Sequence, residues 1–269
     1  MAPLSSISVP PSVQRYWEIL NVLVPKNLKV RYRGSFLGVY WSLLNPLIMT
    51  GVYTVLFGGT FVRDYPDYDR SIVKYMLSAF TGLVILNFFS TSTSQALISV
   101  VANGSLLNKV RLPVSIFPVS MVAANLFQFA VGSLPLLIIV TMVTSGDPLS
   151  LLLLFIPILA LVLVSTGVGF LVSGLYVFFR DLPYFYELIV FLLWISTPIF
   201  YPVSIISPKV RPLLAINPLF PITESIKQIA LNHSFDLGLT ATALLSGIIV
   251  FTTGLCCFHW WRGQFMDLL

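Results

Sequence analysis

The residues best suited to chemistry lie in one short run, NLKVRYRGSFLGVYWSLLN, where Lys29, Arg31 and Arg33 alternate and no further charge appears before Arg63. Cations so spaced suit phosphate, because charge-assisted hydrogen bonds to phosphate oxygens are short and strong. They suit an anionic lipid surface equally, where each cation contributes about 1 kcal/mol. Catalytic sets are missing: the sequence holds no GxxxxGKS/T phosphate loop and no HExxH, and His233 and His259 stand isolated. No carboxylate lies within an apolar core, and Glu187 falls only near the start of one apolar stretch. An ion-coupled carrier or a membrane enzyme needs carboxylates at mid-membrane, so both readings lose ground.

Aromatic residues form a second pattern. Tyr32, Phe36 and Tyr40 share one helical face, Tyr53, Phe57 and Phe61 share another, and Phe191, Trp194 and Tyr201 lie roughly together. Trp and Tyr near span ends anchor helices at the membrane interface. The same faces can stack on sugars, since an aromatic ring offers apolar contact without requiring one hydrogen-bond pattern. Two loops carry the remaining polar clusters: Asn103, Gly104, Leu106, Leu107, Lys109 and Arg111 in one, and Arg180 with Asp181 of FFRDLPY in the other. They read either as charges that set topology or as amphipathic pieces that seat in a groove of a soluble partner.

A membrane must position these residues. Of the 269 residues, 57% are hydrophobic and 9% charged, and the mean hydropathy is +0.93, values that define an integral membrane protein. The net charge of +5 does not point to nucleic acid, because no basic stripe interleaved with aromatics survives between the apolar blocks. Cys256 and Cys257 are neighbours near the end of an apolar run and lack ordinary disulfide geometry. The start, MAPLSSISVPPS, lacks the charged head and apolar core of a cleavable signal, so the mature chain is expected to keep its N-terminus.

Ser12 can cap a helix over about 12–24 that sets Val13, Tyr16, Trp17, Leu20 and Val24 opposite Gln14, Arg15, Glu18 and Asn21 before Pro25 ends it. This helix is expected to lie in the membrane interface. A span needs about 20 apolar residues, and six stretches qualify, at about 36–61, 75–100, 114–143, 149–178, 185–203 and 237–260. Asn103-Gly104 is a turn signal that leaves VANGSLLNKVRLP outside the membrane. Across about 204–232, Pro208, Pro212, Pro218 and Pro221 divide pieces too short to cross, which are expected to form re-entrant outer helices shielded by protein or water. With a cytoplasmic N-terminus, nine of the fifteen Lys and Arg fall inside, and Arg63, Lys74 and Lys227 are among those outside. Gly34, Gly38 and Ser42, and again Ser165, Gly169 and Ser173, recur at helical spacing and predict faces of close helix approach. The expected fold is one all-α integral membrane domain of six transmembrane helices over 1–269.

Taken in order, LKVRYRGSFLGVYWSLLNPL, NGSLLNKVRLP, FFRDLPY and INPLFPITESIKQIAL resemble the membrane (permease) subunits of type 2 ABC exporters, in the branch that exports polysaccharide, O-antigen, capsule and teichoic acid. The resemblance implies a homodimer of six-span subunits in the bacterial cytoplasmic (inner) membrane, with both termini cytoplasmic. It implies two copies of a separate ABC ATPase subunit that carries ATP and Mg, and no cofactor or enzyme activity on this chain. The segment from Asn103 to Arg111 would be the principal coupling helix, and Arg180 with Asp181 a second contact. A lipid-pyrophosphate-linked glycan would present its anionic head to Lys29, Arg31 and Arg33. Tyr32, Phe36, Tyr40, Tyr53, Phe57, Phe191, Trp194 and Tyr201 would line a channel at the dimer interface, with membrane lipids around it. Two alternatives stay open, a drug or lipid exporter of the same fold and a membrane-embedded enzyme of lipid-linked sugars.

Overall fold

The computed structural model describes residues 11–107, 109–110, 112–207, 209, 214, 216–232 and 234–265, and every regular element among them is helical. The side chain of Ser12 and the whole of Arg111, Pro208, Pro212 and His233 lie outside the described residues. The first helix, α1 (Pro11–Arg31), does not stop at Pro25 but contains it. An interior proline removes one backbone bond and costs about 3 kcal/mol. Side chains beyond Pro25 offset that cost: Asn27 Nδ2 donates to Ser120 Oγ at 3.2 Å, and Arg31 donates to two other helices. Leu20 and Leu23 are buried and Tyr16 and Ile19 pack beside them, so α1 is part of the bundle's base. Burial pushes the Tyr16 phenol above its ordinary pKa, and a hydrogen bond with Ser115 opposes this.

Gly34 (φ +78°) and Gly38 (φ +51°) adopt left-handed backbone with open space beside them. They form the turn that leads out of α1, so the expected close-approach stripe through Gly34, Gly38 and Ser42 does not exist. Ser42 alone is tightly packed, lying where a Cβ on Gly132 would come within 2.4 Å of its Oγ.

Four helices are long and apolar enough to cross a membrane: α2 (Gly38–Asp64), α3 (Ile72–Ala102), α7 (Pro148–Phe178) and α10 (Leu237–Gln264). Between α3 and α7 lie a short turn of helix, α4 (Gly104–Leu107), and a pair, α5 (Ile116–Gly132) and α6 (Leu134–Ser145). That pair bends by 45° at Ser133 and makes a fifth crossing if counted as one. The chain is therefore a multi-pass membrane protein. α8 (Leu182–Ser196) has 15 residues, about 22 Å of helix against an apolar core of about 30 Å.

Of the four long helices α3 is the most enclosed, and α7 packs against it and along α10. A Cβ on Gly254 would lie 2.1 Å from the Gly167 carbonyl oxygen, and one on Gly167 would lie 2.4 Å from that of Val250. Only glycine lets these backbones touch. The predicted face of Ser165, Gly169 and Ser173 is buried as well, with Gly169 against Ala96 of α3. A last element, α9 (Leu219–Leu231), buries Leu219, Ile222, Ile226 and Ile229 against α3, α6 and α7. Asn217 fastens it to the end of α8: its Nδ2 donates to Ser196 Oγ at 3.0 Å and Thr197 Oγ1 at 2.9 Å, while its Oδ1 accepts from the Leu219 N–H. Lys227 is buried and donates to the Pro198 carbonyl at 2.6 Å, a second tie between the same segments. Burial lowers its pKa, which the Glu224 carboxylate partly counters.

Candidate functional site

α1 delivers Arg31 sideways into the bundle. One guanidinium nitrogen donates to Asn125 Oδ1 at 2.8 Å and to Gln128 Oε1 at 2.6 Å, both on α5, and the other donates to Gln95 Oε1 on α3. Asn125 Nδ2 donates to that same Gln95 oxygen at 2.9 Å. At about 1.5 Å per residue, Gln95 stands about 10 Å from the Ala102 end of α3 and Gln128 about 18 Å from the Ile116 end of α5. A cation outside the apolar runs thus reaches amide side chains that lie within two of them. Its hydrogen-bond partners are amide oxygens, which satisfy N–H donors, and among the described residues it pairs with no carboxylate. Lys29 and Arg33 differ: both are exposed and make no hydrogen bond or ion pair among the described residues. The alternating trio therefore divides into one half-buried anchor and two exposed cations. Gln95, Asn125 and Gln128 went unread in the sequence, where the available signal was amide side chains interrupting apolar runs.

A cavity of about 490 Å³ opens between α2, α3 and α8. Tyr53, Phe191 and Trp194 form its aromatic wall, and Asn45, Asn87, Ser90 and Glu187 supply polar atoms. Tyr53 stacks on Phe200 with centroids 3.6 Å apart, on Phe57 at 5.9 Å, and lies 6.1 Å from Trp194. A π-helical turn, Thr54–Gly58, widens α2 directly after Tyr53, a distortion common at functional sites. The expected aromatic set falls into two groups. Tyr53, Phe57, Phe191 and Trp194 gather at or beside the cavity, whereas Phe36 is fully exposed and Tyr40 projects near the start of α2, both away from it. Tyr32 sits half-buried at the end of α1, 6.0 Å from the Arg31 guanidinium. Tyr201 also stands outside, its hydroxyl donating to the Ile195 carbonyl at 2.8 Å.

At the other end, Asn103 terminates α3 and donates to the Ser99 carbonyl at 2.8 Å, while its own carbonyl accepts from the N–H groups of Leu106 and Leu107. These bonds start α4. Gly104 is buried, Leu106 half-buried and Lys109 exposed. Leu107 is buried in a cluster with Leu20 and Leu23 of α1, Val100 of α3, Phe117 of α5 and Phe258 of α10. α4 and α1 thus contribute to one apolar cluster. Arg180 lies 5.6 Å over the Tyr176 ring, and Asp181 is exposed at the start of α8.

Residues 19–231 match the ABC-2 type transporter family. The chain belongs to that family. The match takes in α1 from Ile19, the Arg31 cluster, the α2–α3–α8 cavity and α9, and it meets the expectation of a type 2 ABC permease. This ABC-2 permease is 29% identical to each of two proteins of Klebsiella pneumoniae named O-antigen export system permease protein RfbA, over 94% of its own length and 95% of theirs. It is 33% identical to the protein of that name from Myxococcus xanthus, over 81% of its length and 82% of the relative's.

Proposed function

We propose that this ABC-2 permease is the transmembrane subunit of an ATP-driven exporter that moves lipid-linked O-antigen polysaccharide across the bacterial inner membrane. The observation that carries the reading is similarity along nearly the whole chain to permeases named for O-antigen export, in a protein with an aromatic-walled cavity between α2, α3 and α8. On α8 only Tyr186 is buried, while Tyr184, Phe185, Leu188, Phe191 and Leu192 are exposed. A second copy of the chain covers this face, and the cavity of each copy then borders a shared path. α8 with the residues that follow it makes a short fifth crossing of six, α9 and the segment before it form the re-entrant outer region, and both termini are cytoplasmic.

Two ABC ATPase subunits bind ATP and Mg and press on α4, with Arg180 and Asp181 as the second contact. Lys29 and Arg33 receive the pyrophosphate of the glycan's lipid carrier, since they are exposed and unpaired. Arg31 adds a positive field from its amide cluster and holds α1 in place. Nucleotide binding moves α4, the shared apolar cluster carries that movement to α1, and Tyr53, Phe57, Phe191 and Trp194 then pass the sugars outward. The test is copurification with an ABC ATPase from the same gene neighbourhood and an ATPase assay with lipid-linked O-antigen. Stimulation by the glycan is expected. A complex indifferent to glycan but stimulated by apolar drugs contradicts the proposal.

A further inference from the structure

The polar lining of the cavity is more specific than a channel wall requires. Asn45 comes from α2, Asn87 and Ser90 from α3 and Glu187 from α8, so three helices converge polar side chains on one space. Asn45 and Glu187 make no hydrogen bond or ion pair among the described residues. Asn87 Oδ1 accepts from Thr91 Oγ1 at 3.1 Å, which leaves its Nδ2 donors available. Asn87 lies about 22 Å along α3 from its Ala102 end, at membrane depth. Open amides there, with the exposed carboxylate of Glu187 near the start of α8 lining the same cavity, are stable only against water or a polar ligand, so this face borders an aqueous path rather than lipid tails.

We infer that Asn45, Asn87, Ser90 and Glu187 form a hydroxyl-binding subsite for one uncharged sugar unit of the passing glycan, with Glu187 disfavouring acidic sugars. The inference rests on the proposed export of polysaccharide and names what the path recognises. A sugar ring offers an apolar face and a rim of hydroxyls that both donate and accept. Tyr53 and Trp194 supply flat partners for the face. The amides donate and accept at the rim, and the carboxylate accepts only. An apolar cargo would strand Asn45, Glu187 and the amide nitrogen of Asn87, whereas Ser90 already donates to the Asn87 carbonyl at 3.3 Å, and a carboxylated sugar would set its charge against Glu187.

The experiment uses the full permease with its ATPase in nanodiscs, after Cys256→Ala and Cys257→Ala remove the native thiols. Asn87→Cys, and separately Ser90→Cys in case the first variant fails to assemble, is labelled with a cationic, membrane-impermeant thiol reagent; Leu152→Cys, at an exposed apolar position of α7 away from the cavity, is the control. Two probes compete: a neutral oligosaccharide hydrolysed from O-antigen, and the same material with its primary hydroxyls oxidised to carboxylates. Labelling at the subsite with the Leu152→Cys control silent is expected. Neutral sugar about tenfold above its dissociation constant should slow labelling about tenfold, because only the unoccupied fraction reacts. The oxidised sugar should protect only when Glu187→Gln is added. No labelling, labelling that neither sugar slows, or equal protection by both sugars with Glu187 intact would overturn the inference. Glycan-stimulated ATPase activity in the same nanodiscs separates the outcomes: if it is present while protection is absent, the subsite fails and the export function stands, whereas its absence strikes the function itself.

Discussion

α7 and α10 meet backbone to backbone at Gly167 and Gly254, whereas α2 and α8 stand apart across a cavity lined by Tyr53, Asn87, Glu187 and Trp194. In the first pair there is no room for even a methyl group, so the helices cannot slide without unpacking. In the second, aromatic and polar side chains face open space, and α8 is held by Tyr186 near its start and through Asn217 at its Ser196 end. The contrast separates a scaffold from a wall. Rigid packing is concentrated between α7 and α10, and α8, with Tyr186 its one buried residue, carries the aromatic surface.

The largest expected effect comes from breaking the scaffold. Gly254→Leu forces side-chain atoms into the Gly167 backbone, and overpacking of this kind costs about 1–3 kcal/mol or more. Loss of the monodisperse peak in size-exclusion chromatography is the expected result, while Val55→Leu on the exposed face of α2 should leave it unchanged. Next is Arg31→Ala, which removes bonds to three amide oxygens, each worth about 1.5–3 kcal/mol before solvent screening is discounted. Export should be lost and Tm should fall by several degrees. Arg31→Lys should recover only part of either, because a lysine cannot fork between α3 and α5. Lys29→Ala with Arg33→Ala should leave Tm unchanged and lower export, which distinguishes phosphate contact from structural support.

Leu107→Ala is a smaller lesion, removing a buried side chain from the apolar cluster to which α4 and α1 both contribute, at a cost of about 2–3 kcal/mol. ATPase activity should persist while export per ATP falls, measured in reconstituted vesicles. Asn217→Ala is the mildest, at about 1–2 kcal/mol, and should show as faster hydrogen exchange at the α8–α9 junction with α7 and α10 unaffected.

Much of this contrast was written locally. Long apolar runs give α2, α3, α7 and α10, and the order of four short motifs identifies the family. What escaped the sequence depends on contacts between distant segments. Pro25 is a sound local stop signal, overruled because Asn27 and Arg31 find partners on α3 and α5. Gly34 and Gly38 have helical spacing, yet they serve a left-handed turn, and the true glycine seam joins residues more than eighty positions apart in α7 and α10. Lys29, Arg31 and Arg33 look alike in a row, but only Arg31 faces the amides. For the aromatics, Tyr53 and Trp194 meet across two helices, which no spacing rule within one helix can reveal.

The separation of wall from scaffold is tested most directly by a photo-crosslinking amino acid carried in turn at Phe191 on α8 and at Leu159 on α7, in the permease–ATPase complex stalled with lipid-linked O-antigen. Both positions are exposed in one subunit, so exposure alone does not favour either. The account predicts that the probe at Phe191 captures glycan, while the probe at Leu159 captures only phospholipid. Glycan captured from Leu159 and not from Phe191 would contradict it.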